Sequence, residues 1–179
     1  MDGIVLLHAF PYSPEMWKPQ QGLLSHYNVM TPNLLGFESF DEAARSVLKE
    51  VDLAGWQEVL FVGISLGGYV LFRFWEKAPE RFAGMVLACT RAVPDSEEAK
   101  QARKKQAERL DAEGVAWLPD ALFPTHFGET TLKTRSEVVE EARAIILANQ
   151  AEPVINTLTA LANRPDSRPL LPSIHVPTL

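Results

Sequence analysis

The chain is poor in cysteine, in basic charge and in long apolar runs. Cys89 is its only cysteine, so no intrachain disulfide can form and a reducing, cytoplasmic setting is expected. The 17 Lys and Arg are outnumbered by 23 Asp and Glu, for a formal net charge of -6. Nucleic-acid binders usually carry a basic stripe, so no nucleic-acid partner is expected. The densest basic run, Arg103-Lys104-Lys105, is hemmed in by Glu97, Glu98, Glu108, Asp111 and Glu113. It reads as a solvated helix face. The N-terminal "IVLL" is too short for a membrane span or a signal sequence, so no membrane partner is expected. With no cysteine pair and no H-x-x-x-H, no metal is expected. "GISLGG" lacks the G-K-[ST] of a phosphate loop and is not a G-x-G-x-x-G, and no cofactor is implied. There is no internal repeat and no low-complexity tract.

What is present suits one folded unit. The chain has 179 residues, 46% hydrophobic and 22% charged, enough for a real core. Ile4 to Leu7 is apolar throughout and ends at His8, which predicts a strand buried on both faces. "AFPYSP" breaks it into a loop. "YNVMTP", "EVLFVGI" and "GMVLACT" predict three more strands. Between them, Ser39 to Gly55 predicts a helix: Ser39 and Glu42 make a capping box, Phe40, Ala43, Ala44, Val47, Leu48 and Val51 form one stripe, and Gly55 is the stop. Leu66 to Ala78 predicts another, ended by Pro79.

Apolar strands alternating with helices predict an α/β fold, a mostly parallel sheet flanked by helices, over residues 1–90. Residues 91–164 then read as helices alone. Asp95 with Glu98 starts one, and Gly114 ends it. Ser136 to Asn149 carries Val138, Val139, Ala142, Ile145 and Ile146 on one face. Pro153 sits in the first turn of the next. Residues 165–179 return to the core, with "SIHVPTL" leading into a fifth strand.

The chemistry is expected at "LFVGISLGGY". A serine hydroxyl is a poor nucleophile until a base takes its proton. A serine on a sharp strand-to-helix bend is pushed out of the fold, and glycines two residues either side remove colliding side chains. Ser65 stands between Gly63 and Gly67 after a predicted strand and before a predicted helix, and Gly68 adds a small residue where helix and strand pack. The first amides of a helix lack internal partners and carry partial positive charge, so the Leu66 amide is an oxyanion donor. The loop after the first strand offers a second in the amide of Phe10. By chance alone a G-x-S-x-G occurs in about one chain in twenty of this length, so the context carries the reading.

In that company the chain resembles the α/β-hydrolase superfamily, especially its small bacterial esterase and enol-lactonase-like members. The resemblance rests on "VLLHAFP", "TPNLLGF", "VGISLGGYV", "RFAGMVLACTRA" and "NRPDSRPLLPSIHVPTL". It implies Ser65 as nucleophile, the Phe10 and Leu66 amides as oxyanion hole, and residues 91–164 as a cap over the acyl pocket. It implies a small ester or lactone as substrate, split through an acyl-enzyme, with no cofactor. Three departures are visible: Ala9 where the family has Gly, Asn33 where it has Asp, and Cys89 where relatives often carry Asp. The family's triad acid follows strand seven and its histidine strand eight, and Leu179 falls inside strand seven. The resemblance therefore implies a fold incomplete at its C-terminus, with both groups beyond Leu179 and little turnover by this chain. If the chain is instead complete, the missing strands come from a second chain, as in a swapped homodimer.

None of the four histidines replaces the missing base on sequence grounds. His8 reads as a loop-ordering residue beside the pocket, His26 as solvated and His175 as structural. His126 lies in the cap and can line the pocket. Asp95 follows the fourth strand, where some hydrolases place their acid, but reads better as a helix cap. Trp17, Trp117 and Phe123 are further pocket candidates, whereas Trp75 reads as core. A non-catalytic hydrolase-like scaffold, or a haloperoxidase-like or C–C-bond hydrolase, shares the same elbow.

Overall fold

The computed structural model describes residues 1–179. Four parallel strands, β1 (Gly3–Leu7), β2 (Val29–Met30), β3 (Val59–Ile64) and β4 (Phe82–Ala88), lie in the order β2-β1-β3-β4. β1 pairs with β3 from Gly3↔Val59 to Leu7↔Gly63, and β3 with β4 from Val59↔Phe82 to Ile64↔Ala88. All five residues of β1 are buried, because layers pack on both faces of the sheet. Val5 and Leu7 face α2 (Phe40–Leu53) and α3 (Leu66–Lys77), while Ile4 and Leu6 face Trp17.

The sequence signals act as predicted here. The Ser39 hydroxyl accepts from the Glu42 N–H at 3.3 Å, and Gly55 follows the helix with φ of 72°. Phe61, Phe74, Phe82 and Trp75 pack ring against ring at centroid separations of 4.4–5.3 Å, fastening α3 to β3 and β4. Pro177 to Leu179 run alongside β4: Met85 N–H donates to Pro177 O, and Leu87 N–H to Leu179 O. Thr178 forms an isolated parallel bridge with Met85, in the stretch read as the entry to a fifth strand.

From α4 onward the chain is helical: α4 (Glu97–Glu113), α5 (Leu118–His126), α6 (Glu129–Thr134), α7 (Ser136–Leu147) and α8 (Ala151–Ala162), with α1 (Lys18–Leu23) short and peripheral. Two expectations are corrected. Asp95 does not cap α4. Ser96 does, accepting from the Ala99 N–H at 3.2 Å. The Asp95 side chain is instead fully buried, bonded by Arg91, Arg103 and Arg164. Arg103 thereby leaves the solvated basic face, and only Lys104 and Lys105 of that run are exposed. No helix is long and apolar enough to cross a membrane.

Candidate functional site

Ser65 joins β3 to α3 with φ of 50° and ψ of -104°, a conformation that L-residues rarely adopt. Its neighbours hold it there. The Ser65 N–H donates to Ala88 O at 2.9 Å, and its carbonyl accepts from the N–H groups of Gly68 and Tyr69. The Thr90 hydroxyl donates to the same carbonyl at 3.0 Å. Thr90→Val keeps the shape and removes that bond. Loss of about 1 kcal/mol of stability in urea unfolding is expected, with Thr90→Ser restoring most of it.

The glycines make room for the bend. A Cβ on Gly63 would lie 2.7 Å from the backbone of Gly67 and Gly68, and one on Gly67 would lie 2.7 Å from Leu7 Cβ. One on Gly68 would meet Thr90 at 2.6 Å. The elbow is thus wedged between β1 and the end of β4. Because the backbone is fixed on every side, the hydroxyl is left pointing outward. Ser65 Oγ makes no hydrogen bond to protein, and the residue opens on a cavity of about 490 Å³. No histidine within these 179 residues bonds it.

Two backbone amides near Ser65 lack acceptors, one in a loop that shares its cavity and one next to it in the chain. The Phe10 N–H, in the loop after β1, has no acceptor in the protein. Leu66 is the first residue of α3, so its N–H has no intrahelical acceptor. Phe10 and Ser65 both line the cavity. The Phe10 loop is held from beneath by His8, which is fully buried. The Leu34 N–H donates to His8 Nε2 at 2.8 Å, leaving the proton on Nδ1 to reach Ala9 O at 3.0 Å. Burial lowers the His8 pKa below the ordinary imidazole value. His8 therefore orders the loop, as expected, but lies behind the cavity wall and not on it. Ala9 is buried there without strain, and Asn33 Oδ1 accepts from the Leu35 N–H at 3.0 Å.

Of the other predicted pocket residues, the structure brings only His126 to the cavity. Trp17 lies across the sheet, on Ile4 and Leu6. The Trp117 ring lies under the Arg109 guanidinium at 4.0 Å. Phe123 is buried against Phe127, at 5.1 Å between centroids. The difference lies along the helix: Phe123 is a turn inside α5 and packs against Phe127, while His126 is the last residue of α5 and reaches the cavity with Thr125 and Phe127. Sequence reasoning missed Tyr12, Met16, Ile64, Cys89 and Phe127 as lining residues. It did find the α7 stripe of Val138, Ala142 and Ile145, but not that this stripe forms a cavity wall. Cys89 is exposed to the cavity and adopts φ of 49°. His26 and His175 are exposed elsewhere. His175 edges the Trp75 ring at 5.2 Å. No group of three His, Cys, Asp or Glu side chains is placed to hold a metal.

The Asp95 carboxylate is spoken for by arginines and does not line the cavity. Desolvation pushes its pKa up, but the hydrogen bond and charge of Arg103 and the charge of Arg164 outweigh it, so the carboxyl stays below its ordinary value.

A strained serine elbow at the end of a parallel strand, facing an apolar cavity, defines a fold class that comparison confirms. A family profile described as the alpha/beta hydrolase fold matches residues 3–126, and the chain belongs to that family. It is similar to a thermophilic esterase from Thermogutta terrifontis, with 35% identity and a TM-score of 0.93 over 98% of this chain and 68% of that one. A hydrolase from Pseudomonas aeruginosa PA01 is 25% identical, with a TM-score of 0.83 over 99% of this chain and 70% of that one. The enol-lactonase from Burkholderia xenovorans LB400 shares the fold at 23% identity, with a TM-score of 0.87 over 99% and 71%. Comparison with curated proteins gives no match.

Proposed function

We propose that this protein is a serine hydrolase of small carboxylic esters or lactones, acting through an acyl-enzyme at Ser65. One observation carries the reading: an unbonded hydroxyl held out at a positive-φ bend, facing a largely apolar cavity beside two amides without acceptors. In this reading Ser65 Oγ attacks the acyl carbon while the Phe10 and Leu66 N–H groups take the developing oxyanion. The alcohol leaves with a proton, and water then releases the acid. Helices α5 to α7 act as the cap that keeps the acyl group dry. The 35% identity to an esterase supports this choice within the family.

A serine needs a histidine to take its proton and a carboxylate to orient that histidine. His8 is committed to Leu34 and Ala9, His126 to Tyr12, and Asp95 to three arginines. We therefore assign the base and its acid to residues outside these 179, and expect little turnover from this chain by itself.

The test is covalent labelling. A fluorophosphonate probe is expected to modify the intact protein at Ser65, read by peptide mass, and to leave Ser65→Ala unlabelled. A folded intact protein that resists the probe would be a non-catalytic scaffold.

A further inference from the structure

Tyr12 and His126 come from two separate segments of the cavity wall, one from the loop after β1 and the other from the end of α5. Tyr12 Oη lies 3.0 Å from His126 Nδ1, and their ring centroids are 5.7 Å apart. The bond has two orientations. If Nδ1–H donated, the Tyr12 hydroxyl proton would be left without an acceptor, because Oη has no other partner and the residue is 9% exposed. If Tyr12 donates, its buried hydroxyl proton is satisfied and the imidazole proton sits on Nε2 of the exposed His126 ring, open to the cavity and to water. Burial pushes the Tyr12 pKa up to about 12 and lowers that of His126, so both groups stay neutral near pH 7, as this arrangement requires.

Nε2 of His126 has no partner in the protein, and the ring lines the cavity. Apart from the Ser65 hydroxyl, which the hydrolase reading assigns to attack, the other polar side chains on the wall are less suited to donate. Thr125 spends its proton on Leu122 O, Glu15 is paired with Lys18, and a glutamate carboxylate such as that of Glu141 has no N–H to offer. The Cys89 thiol is a weak donor. Gln20, exposed as His126 is, is the remaining amide donor. The rest of the wall, including Phe10, Ile64, Val138 and Ile145, is apolar.

We propose that His126, held by Tyr12 with its proton on Nε2, is a specificity-determining donor, so that the cavity takes esters or lactones carrying a second oxygen acceptor on an otherwise apolar acyl chain. This rests on the hydrolase reading for the word substrate, but the recognition itself does not require turnover.

The test uses the intact protein and two ketones that mimic the acyl half without a leaving group, 2-hexanone and 4-methoxy-2-butanone. They are matched in length and differ by one CH₂ replaced by oxygen. Dissociation constants are read by NMR titration, with the protein labelled at its histidine nitrogens. The expected ¹⁵N signature is the Nε2–H tautomer at His126, lost in Tyr12→Phe. His126→Phe is expected to weaken 4-methoxy-2-butanone relative to 2-hexanone by about 2- to 10-fold, the worth of one hydrogen bond. Gln20→Leu should leave that ratio unchanged. An Nδ1–H tautomer in wild type, an equal effect of His126→Phe on both ketones, or control of the ratio by Gln20 would overturn the proposal. Absence of fluorophosphonate labelling would remove the hydrolase reading and leave this binding comparison to be judged by its own result.

Discussion

Gly67→Ala is expected to destabilise the protein by more than about 4 kcal/mol, at the extreme of single substitutions. The added Cβ would drive into the carbonyl of Leu7 and lie 2.7 Å from Leu7 Cβ. Leu7 is in the central strand β1, fully buried and paired to Gly63 of β3, so no flexible side chain can move aside. Relief would require β1 to part from α3, opening the main core cluster that both elements share. Small domains hold together by only about 5–15 kcal/mol, so urea unfolding should show a strongly lowered midpoint or no native baseline. Gly22→Ala is the contrast. A Cβ there meets nothing within 4 Å, and Gly22 lies in α1, so a gain of up to about 1 kcal/mol is expected. Equal midpoints for Gly67→Ala and wild type would mean that β1 and the elbow do not touch as described.

Asp95→Ala is expected to cost about 3–5 kcal/mol, because it strips the counter-charge from a buried arginine. The Arg164 side chain is 2% exposed and bonds Asp95 at 2.6 Å. One of its nitrogens, Nη2, is already without a partner. Its guanidinium also lies over the Tyr69 ring at 4.5 Å, and Arg103 reaches Asp95 from α4. A single carboxylate therefore ties α4, the end of α8 and α3 together.

The pH dependence follows from the direction of the shift. The folded-state carboxyl titrates below its ordinary value, so its contribution is complete above the unfolded pKa of about 3.9 and lost as pH falls through the folded one. Wild type should lose stability on acidification below about pH 4, and Asp95→Asn should lose less over the same window. Urea midpoints at pH 7 and pH 3 decide this. A wild-type and Asp95→Asn pair that fall in parallel would place the titrating group elsewhere.

The Asp95 cluster also shows where the sequence was unreadable. Asp95, Ser96 and Glu98 offer two equally good caps one residue apart, and local rules cannot choose between them. The choice is made by Arg164, far along the chain, whose burial demands a carboxylate. Arg103 was hidden in a basic run for the same reason: charge density along a chain does not reveal which member points inward. The pocket candidates failed similarly. Trp17, Trp117 and Phe123 are large and apolar wherever they sit, and only the rotation of each element decides whether they face a cavity or a core. Tyr12 and His126 are far apart in sequence and meet only because α5 folds back over the first loop.

The elbow was legible because its constraint is local. A bend that tight needs small residues at fixed offsets, and G-x-S-x-G with Gly68 states the requirement in consecutive letters. The apolar strands, the capped α2 and the α7 stripe were legible too, since burial on one or two faces imposes a period that survives in one dimension. Sequence by itself thus determined the parallel sheet, the elbow and the serine at its tip. Tertiary structure alone decided what surrounds that serine, because a cavity is made of faces brought together from distant segments, and long-range packing leaves no spacing to read.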